Sequence, residues 1–168
     1  MEGRKVLDAA GIETLVLRMS YQVEEHFFGY DSLAFVAIDG EGVALAKKMF
    51  AHLEERKAFE LEFYVLSLPK HESSLPEMTF EPALALKKNT PVLLVDDVLN
   101  SGRTLFYALH PLLKVSIPSL RIGVLVERTY RHFPVSSSIT GMQLSTTLEQ
   151  NVVAKLTGKP EEIGVYLV

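Results

Sequence analysis

Residues 92–104 read VLLVDDVLNSGRT: four apolar residues, two adjacent acids, a short turn, then a stretch with Leu105, Ala108, Leu109 and Leu112 at one-face helical spacing. Residues 91–95 are too few for a helix and apolar enough to be covered on both faces, as a central strand of a parallel sheet is. Strand, tight turn and helix make the unit of a βαβ fold, and the chain repeats it. Residues 33–38 (LAFVAI) are a second continuous apolar run, stopped by Asp39 and the turn DGEG. After that turn Val43, Ala46, Met49, Phe50 and Leu53 keep the helical period. Upstream, Ile12, Leu15, Val16, Met19 and Val23 predict an amphipathic helix over residues 10–27, ended by Gly29. Residues 59–66 alternate Phe59, Leu61, Phe63 and Val65 against Glu60, Glu62 and Tyr64, the period of a half-exposed strand near a sheet edge. Residues 120–126 (LRIGVLV) give a further strand, residues 128–158 are less regular, and the ending GVYLV reads as a last short strand. The predicted fold class is α/β, a single domain over residues 1–168 with a mostly parallel sheet flanked by helices.

Composition bounds the function. With 168 residues, 48% apolar and 23% charged, the chain can bury a substantial core, and disorder is excluded as its dominant state. No stretch approaches the ~20 apolar residues of a membrane span, and the N-terminus lacks the apolar segment of a secretory signal, so a soluble cytoplasmic protein with no membrane partner is expected. The absence of cysteine excludes disulfides, thiolate zinc sites and cysteine nucleophiles. A net charge of −4 argues against a uniformly basic nucleic-acid footprint, although a local patch, or one assembled from two subunits, survives that total. RNA is a disfavoured partner.

In open α/β sheets ligands collect beyond the carboxyl ends of the strands, and two of these ends are unusual. The first is the string already quoted. A helix N-terminus offers unpaired N–H groups and partial positive charge, and Gly102 lets the backbone approach a ligand with no Cβ in the way. The hydroxyls of Ser101 and Thr104 can donate to the same phosphate, while Asp96 and Asp97 accept only, which suits sugar hydroxyls or hydrated Mg²⁺. Ser, Gly and Thr before a helix serve elsewhere as a simple cap, and paired acids at a strand end are often merely solvated. Joined directly behind a buried strand, they supply partners for a phosphate, a diol and magnesium, the three parts of a phosphorylated ribose complex. The string is neither a Walker loop nor a dinucleotide fingerprint.

VLLVDDVLNSGRT resembles the signature of the type I phosphoribosyltransferases, which bind 5-phosphoribosyl-1-pyrophosphate (PRPP). Within them it resembles the PyrR-like proteins, pyrimidine-operon attenuators with uracil phosphoribosyltransferase activity: VDDVLNSGRT is similar to their VDDVLYTGRT, and LVERTYRHFPV to their LVDRGHRELPI. The resemblance implies a type I phosphoribosyltransferase-like fold with a small C-terminal hood. It implies a homo-oligomeric, dimeric assembly, and PRPP and a nucleobase, with uracil favoured, as substrates. By it, Asp96 and Asp97 are the catalytic pair and hold the ribose hydroxyls, directly or through Mg²⁺. The loop of Leu99, Asn100, Ser101, Gly102, Arg103 and Thr104 would wrap the 5-phosphate. The second unusual strand end, with Asp39, Gly40, Glu41 and Gly42, falls where the family places its pyrophosphate turn. Residues 67–78 fall at the family's mobile lid, with Lys70 and His71 as its basic candidates. The base would lie over residues 126–134, near Val126, with Tyr130 or Phe133 stacking and Arg128 or main-chain groups reading a carbonyl.

Three departures bear on activity. The PyrR-like proteins usually carry Arg in a TRG turn at residue 41, whereas Glu41 sets a negative side chain beside an anionic leaving group. Losing one preorganised electrostatic donor typically costs about 10²–10³ in rate. Asn100 stands where hypoxanthine phosphoribosyltransferases have an Asp thought to accept a base proton, and Glu127 replaces the Lys of their LVKRT string. The last two point away from 6-oxopurines. The first favours an alternative in which the chain is a PRPP- or nucleotide-binding regulator with weak or no catalysis. A purely structural α/β domain is the remaining alternative.

Overall fold

Alternate residues of one central strand feed two separate hydrophobic layers, and this places the helices on both faces of a sheet. In the computed structural model, which describes residues 3–68, 78–147 and 150–168, that strand is β2 (Ser32–Ile38). Leu33, Phe35 and Ala37 enter a core shared with α1 (Ala9–His26) and α2 (Glu41–Glu55). Ala34, Val36 and Ile38 enter the core beneath α3 (Arg103–Leu112). The remaining elements of the large sheet are β3 (Glu60–Ser67), β4 (Thr79–Glu81), β5 (Val92–Leu99), β6 (Leu120–Arg128) and β7 (Ile139–Leu144). Its order is β4-β3-β2-β5-β6-β7, with β4 antiparallel and the rest parallel. Because β2 and β5 are adjacent and parallel, their carboxyl ends, followed by α2 and α3, open side by side. The expected α/β class is the one observed.

A second sheet, order β1-β9-β8, is built from both ends of the chain: β1 (Arg4–Asp8), β8 (Val152–Lys155) and β9 (Gly164–Leu167). The expected hood therefore includes the N-terminus, which the sequence reading left unassigned. Val152, Ala154, Leu156 and Val165 are buried in the same core as α1 and α2, so this small sheet packs onto the main body. Asp8 ends β1 and caps α1, its Oδ1 accepting from Gly11 N at 2.8 Å.

Two local readings are corrected. The strand of residues 91–95 runs on through both acids to Leu99, so the carboxylates sit on the strand and not in the turn behind it. Tyr64, expected on the exposed face of its strand, is 6% exposed, because β4 and the segment bearing Leu84 and Leu86 cover that face. Its hydroxyl donates to Glu62 Oε2 at 2.8 Å and to Ala85 O at 3.2 Å. The expected lid, with Lys70 and His71, lies outside the described residues over 69–77.

Candidate active site

The end of β5 positions the chemistry. Asp96 is 7% exposed and lies against Gly42 at the start of α2. A Cβ at Gly42 would stand 3.2 Å from Asp96 Cα and 3.3 Å from its Oδ1, so a side chain there would push the turn of Asp39, Gly40, Glu41 and Gly42 a few tenths of an ångström off the acid. Gly40 sits at φ +103°, in the region that disfavours side chains, and reverses the chain between β2 and α2. No side chain caps α2 there.

Asp97 N donates to Asp96 Oδ1 at 3.0 Å. Burial, reinforced by the charge of Asp97 and its hydrogen bond, pushes the Asp96 carboxyl well above its ordinary value. Burial also raises Asp97, and the nearby Glu41 charge adds to the rise. Neither acid is comfortable as a bare anion. A cation between them and a bound phosphorylated sugar would relieve both, and two carboxylates completed by substrate oxygens are a habitual magnesium environment. These residues fit Mg²⁺, although the described residues contain no group of three or more metal-ligating side chains.

Beyond the acids the chain turns into α3. Gly102 adopts φ +85°, and a Cβ there would meet Phe133 Cβ and O at 3.3 Å. Ser101 O accepts from His132 N at 3.0 Å and Phe133 N at 3.1 Å, so the trans peptide turns the following N–H of Gly102 away from that segment. Gly102 caps α3 with no side-chain hydrogen bond of its own, which leaves the first-turn amides beyond Arg103 for a ligand. Ser101 Oγ accepts from Arg103 N at 3.3 Å, and the Arg103 guanidinium lies over the Tyr107 ring. Asp96, Leu99, Asn100, Ser101, Gly102 and Thr104 line an open cleft of about 90 Å³. A cleft with the Asp96 carboxyl on one side and helix-terminal amides on the other can hold a sugar hydroxyl and a phosphate together.

The structure thus brings together Asp39, Gly40, Glu41, Gly42, Asp96, Asp97 and the loop from Leu99 to Thr104. Several side chains, however, are engaged in ways the sequence did not announce. Glu41 Oε2 accepts from Leu156 N and Oε1 from Thr157 Oγ1, both at 2.8 Å. Asn100 Nδ2 donates to Val152 O at 2.9 Å while its Oδ1 accepts from Val152 N at 3.2 Å. Buried Arg128 donates through Nε to Thr146 Oγ1, through Nη1 to Asn151 Oδ1 and through Nη2 to Thr147 O, which commits its guanidinium to the hood connection. Val126 is wholly buried between Val98 and Met142, so its side chain belongs to the core. Tyr130 stands 47% exposed, edge-on to His132, apart from the cluster of Phe106, Tyr107 and Phe133. Glu127, 4% exposed, pairs with Arg131 and accepts from Ser137 Oγ at 2.6 Å. Leu156, Thr157 and Val152 gave no signal in the sequence, since they reach the site only through tertiary contact.

The sequence matches the phosphoribosyl transferase domain family over residues 3–159. It is 31% identical to the bifunctional protein PyrR of Limosilactobacillus reuteri, covering 88% of each chain. It is 27% identical to that of Oceanobacillus iheyensis, covering 97% of this chain and 96% of the relative. A hypoxanthine-guanine phosphoribosyltransferase of Bacillus anthracis superposes with a TM-score of 0.76 at 14% identity, over 99% of both chains, which shows a shared fold.

Proposed function

Since this chain belongs to the phosphoribosyl transferase domain family and is a PRPP-dependent pentosyltransferase, we propose that uracil is the base to which it transfers the phosphoribosyl group, with release of pyrophosphate. The observation that carries PRPP use is the buried Asp96 and half-buried Asp97 running straight into the left-handed Gly102 and the start of α3, whose N-cap glycine brings no side chain of its own. The preference for uracil rests on the likeness to PyrR and on Glu127. At the position where 6-oxopurine enzymes resemble this chain but carry Lys, a buried acid is tied to Arg131 and Ser137 and has nothing to donate to a purine oxygen.

In the reaction proposed, a ring nitrogen of the base attacks the anomeric carbon of PRPP. The carbon–nitrogen bond forms as the bond to pyrophosphate breaks, the electron pair leaves with pyrophosphate, and the nitrogen's proton passes to solvent. The transition state has oxocarbenium character at the ribose, so no covalent nucleophile is required. Asp96 and Asp97 hold the ribose hydroxyls, and the amides of residues 99–104 fix the 5-phosphate, so that the anomeric carbon is presented in one orientation. Mg²⁺ held at Asp96 and Asp97 would neutralise charge on the diphosphate. The turn at Gly40 presents its own amides to the same group.

A second reading, a PRPP-binding regulator with little catalysis, is favoured by one observation: the turn facing the diphosphate carries the acid Glu41. Both are tested by a spectrophotometric assay with PRPP, Mg²⁺ and, in turn, uracil, hypoxanthine, guanine, xanthine, adenine and orotate, beside calorimetric titration of PRPP. Turnover with uracil alone supports the transferase reading. Turnover with another base overturns uracil, and tight PRPP binding with no turnover selects the regulator.

A further inference from the structure

The outer edge of β8 is held by side chains from both loops that surround the cleft. Among the described residues β8 is the last strand of its sheet and pairs with β9 alone. Asn151 exchanges both main-chain hydrogen bonds with Val168, at 2.8 and 2.9 Å. In an antiparallel pair the bonding direction alternates, so residues 152, 154 and 156 turn their N–H and C=O groups away from β9. An unpaired strand edge needs partners. Here the Asn100 carboxamide takes both groups of Val152, donating at 2.9 Å and accepting at 3.2 Å, and the Glu41 carboxylate takes the N–H of Leu156 and the hydroxyl of Thr157. The residue types match the task. A carboxamide can donate and accept as a strand neighbour does, which a carboxylate cannot, while the double acceptor Glu41 faces two donors.

We propose that Glu41 and Asn100 are positioning residues that fasten the turn of residues 39–42 and the loop of residues 99–104 to a single strap, residues 152–157, so that the two halves of the PRPP site are aligned through it. This deepens, and rests on, the PRPP reading above. It also gives the two departures at residues 41 and 100 one shared explanation. Each substitutes a hood contact for the side-chain role that the family resemblance assigns to its position.

The test uses the full chain as wild type, Glu41→Ala, Asn100→Ala and the double variant, each with magnesium–PRPP titration by calorimetry and residue-resolved amide exchange by NMR. Removing one net hydrogen bond of this kind should weaken PRPP roughly three- to tenfold. The double variant should lose less than the product of the singles, since cutting either fastening already frees the strap. In the free protein, Asn100→Ala should speed exchange at Leu156, which Asn100 does not touch, and Glu41→Ala should do so at Val152. Unchanged PRPP affinity in both single variants, strict multiplication in the double, or exchange confined to the mutated end would each overturn the proposal. Should wild type not bind PRPP, the functional reading fails by itself, and the exchange measurement still decides whether one strap joins the two loops. A thermal melt of each variant confirms that a folded protein is being compared.

Discussion

Thr157 donates its hydroxyl to Glu41 across 116 positions of chain, at 2.8 Å, and so makes the acid of the turn between β2 and α2 a structural acceptor. An arginine at that position, usual in similar proteins, cannot accept from Thr157 or from Leu156. Glu41→Arg should therefore lower stability by roughly 1–3 kcal/mol, the cost of stranding a partly buried N–H, and should not raise turnover with PRPP. Urea denaturation and steady-state kinetics check both halves. A faster and equally stable variant would show that the hood contacts are dispensable.

Asp96 stores a cost that binding can release. Its carboxyl is pushed well above 3.8 by burial first and by Asp97 second, so between 3.8 and the native value the folded protein holds a proton that the unfolded chain has lost. The contribution to stability is full below 3.8 and is lost as pH rises through the raised native value. Asp96→Asn removes the buried charge. The variant should be more stable than wild type by roughly 1–2 kcal/mol at neutral pH, with a flatter pH dependence, and should fail to bind PRPP. Thermal melts across pH, with calorimetry at neutral pH, read both effects.

Much of this architecture was legible because its central strands are apolar on both faces and its turns follow them directly. Residues 33–38 and 91–95 each carried enough signal to place a buried parallel strand, and the acids and Gly102 behind the second carried the site. What was hidden is long-range. β1 is five residues whose partner β9 lies at the other end of the chain. β7 and β8 are short, with mixed burial, in a stretch rich in Ser and Thr. The engagements of Glu41, Asn100 and Arg128 depend on where β8 and the connection before it come to rest, which no local periodicity encodes. Tyr64 shows the same limit on a smaller scale, since Phe80 of β4 and the segment bearing Leu84 and Leu86 pack over a face that alternation alone leaves exposed.

Gly102 is required twice over, by its left-handed backbone and by the closeness of Phe133. Gly102→Ala should cost roughly 1–2 kcal/mol from the backbone alone, with more from the 3.3 Å contacts unless Phe133 shifts. Since Ser101 and Phe133 share a main-chain hydrogen bond, that shift would disturb the amides facing the cleft. The expected result is a lower urea midpoint together with loss of PRPP affinity. A variant that is destabilised yet binds PRPP normally would place the phosphate elsewhere.

Glu127 tests the choice of base. Introducing the lysine of the purine-type string by Glu127→Lys would set a cation beside Arg131, in a pocket built for an acid, and remove the acceptor of Ser137. The cost should be about 3 kcal/mol or more, as when a buried pair loses one partner and the other is left uncompensated. Glu127→Gln keeps an acceptor for Ser137 and loses only the charge, so it should be destabilised less. On the mechanism proposed, neither variant gains turnover with hypoxanthine or guanine, because the side chain at 127 is directed into the Arg131, Ser137 and Thr140 cluster. Melting temperatures rank the three proteins, and the base panel repeated on each reads specificity. Purine turnover appearing in Glu127→Lys would mean that this position faces the base after all, and that the acid there excludes purines by charge and not by being turned away.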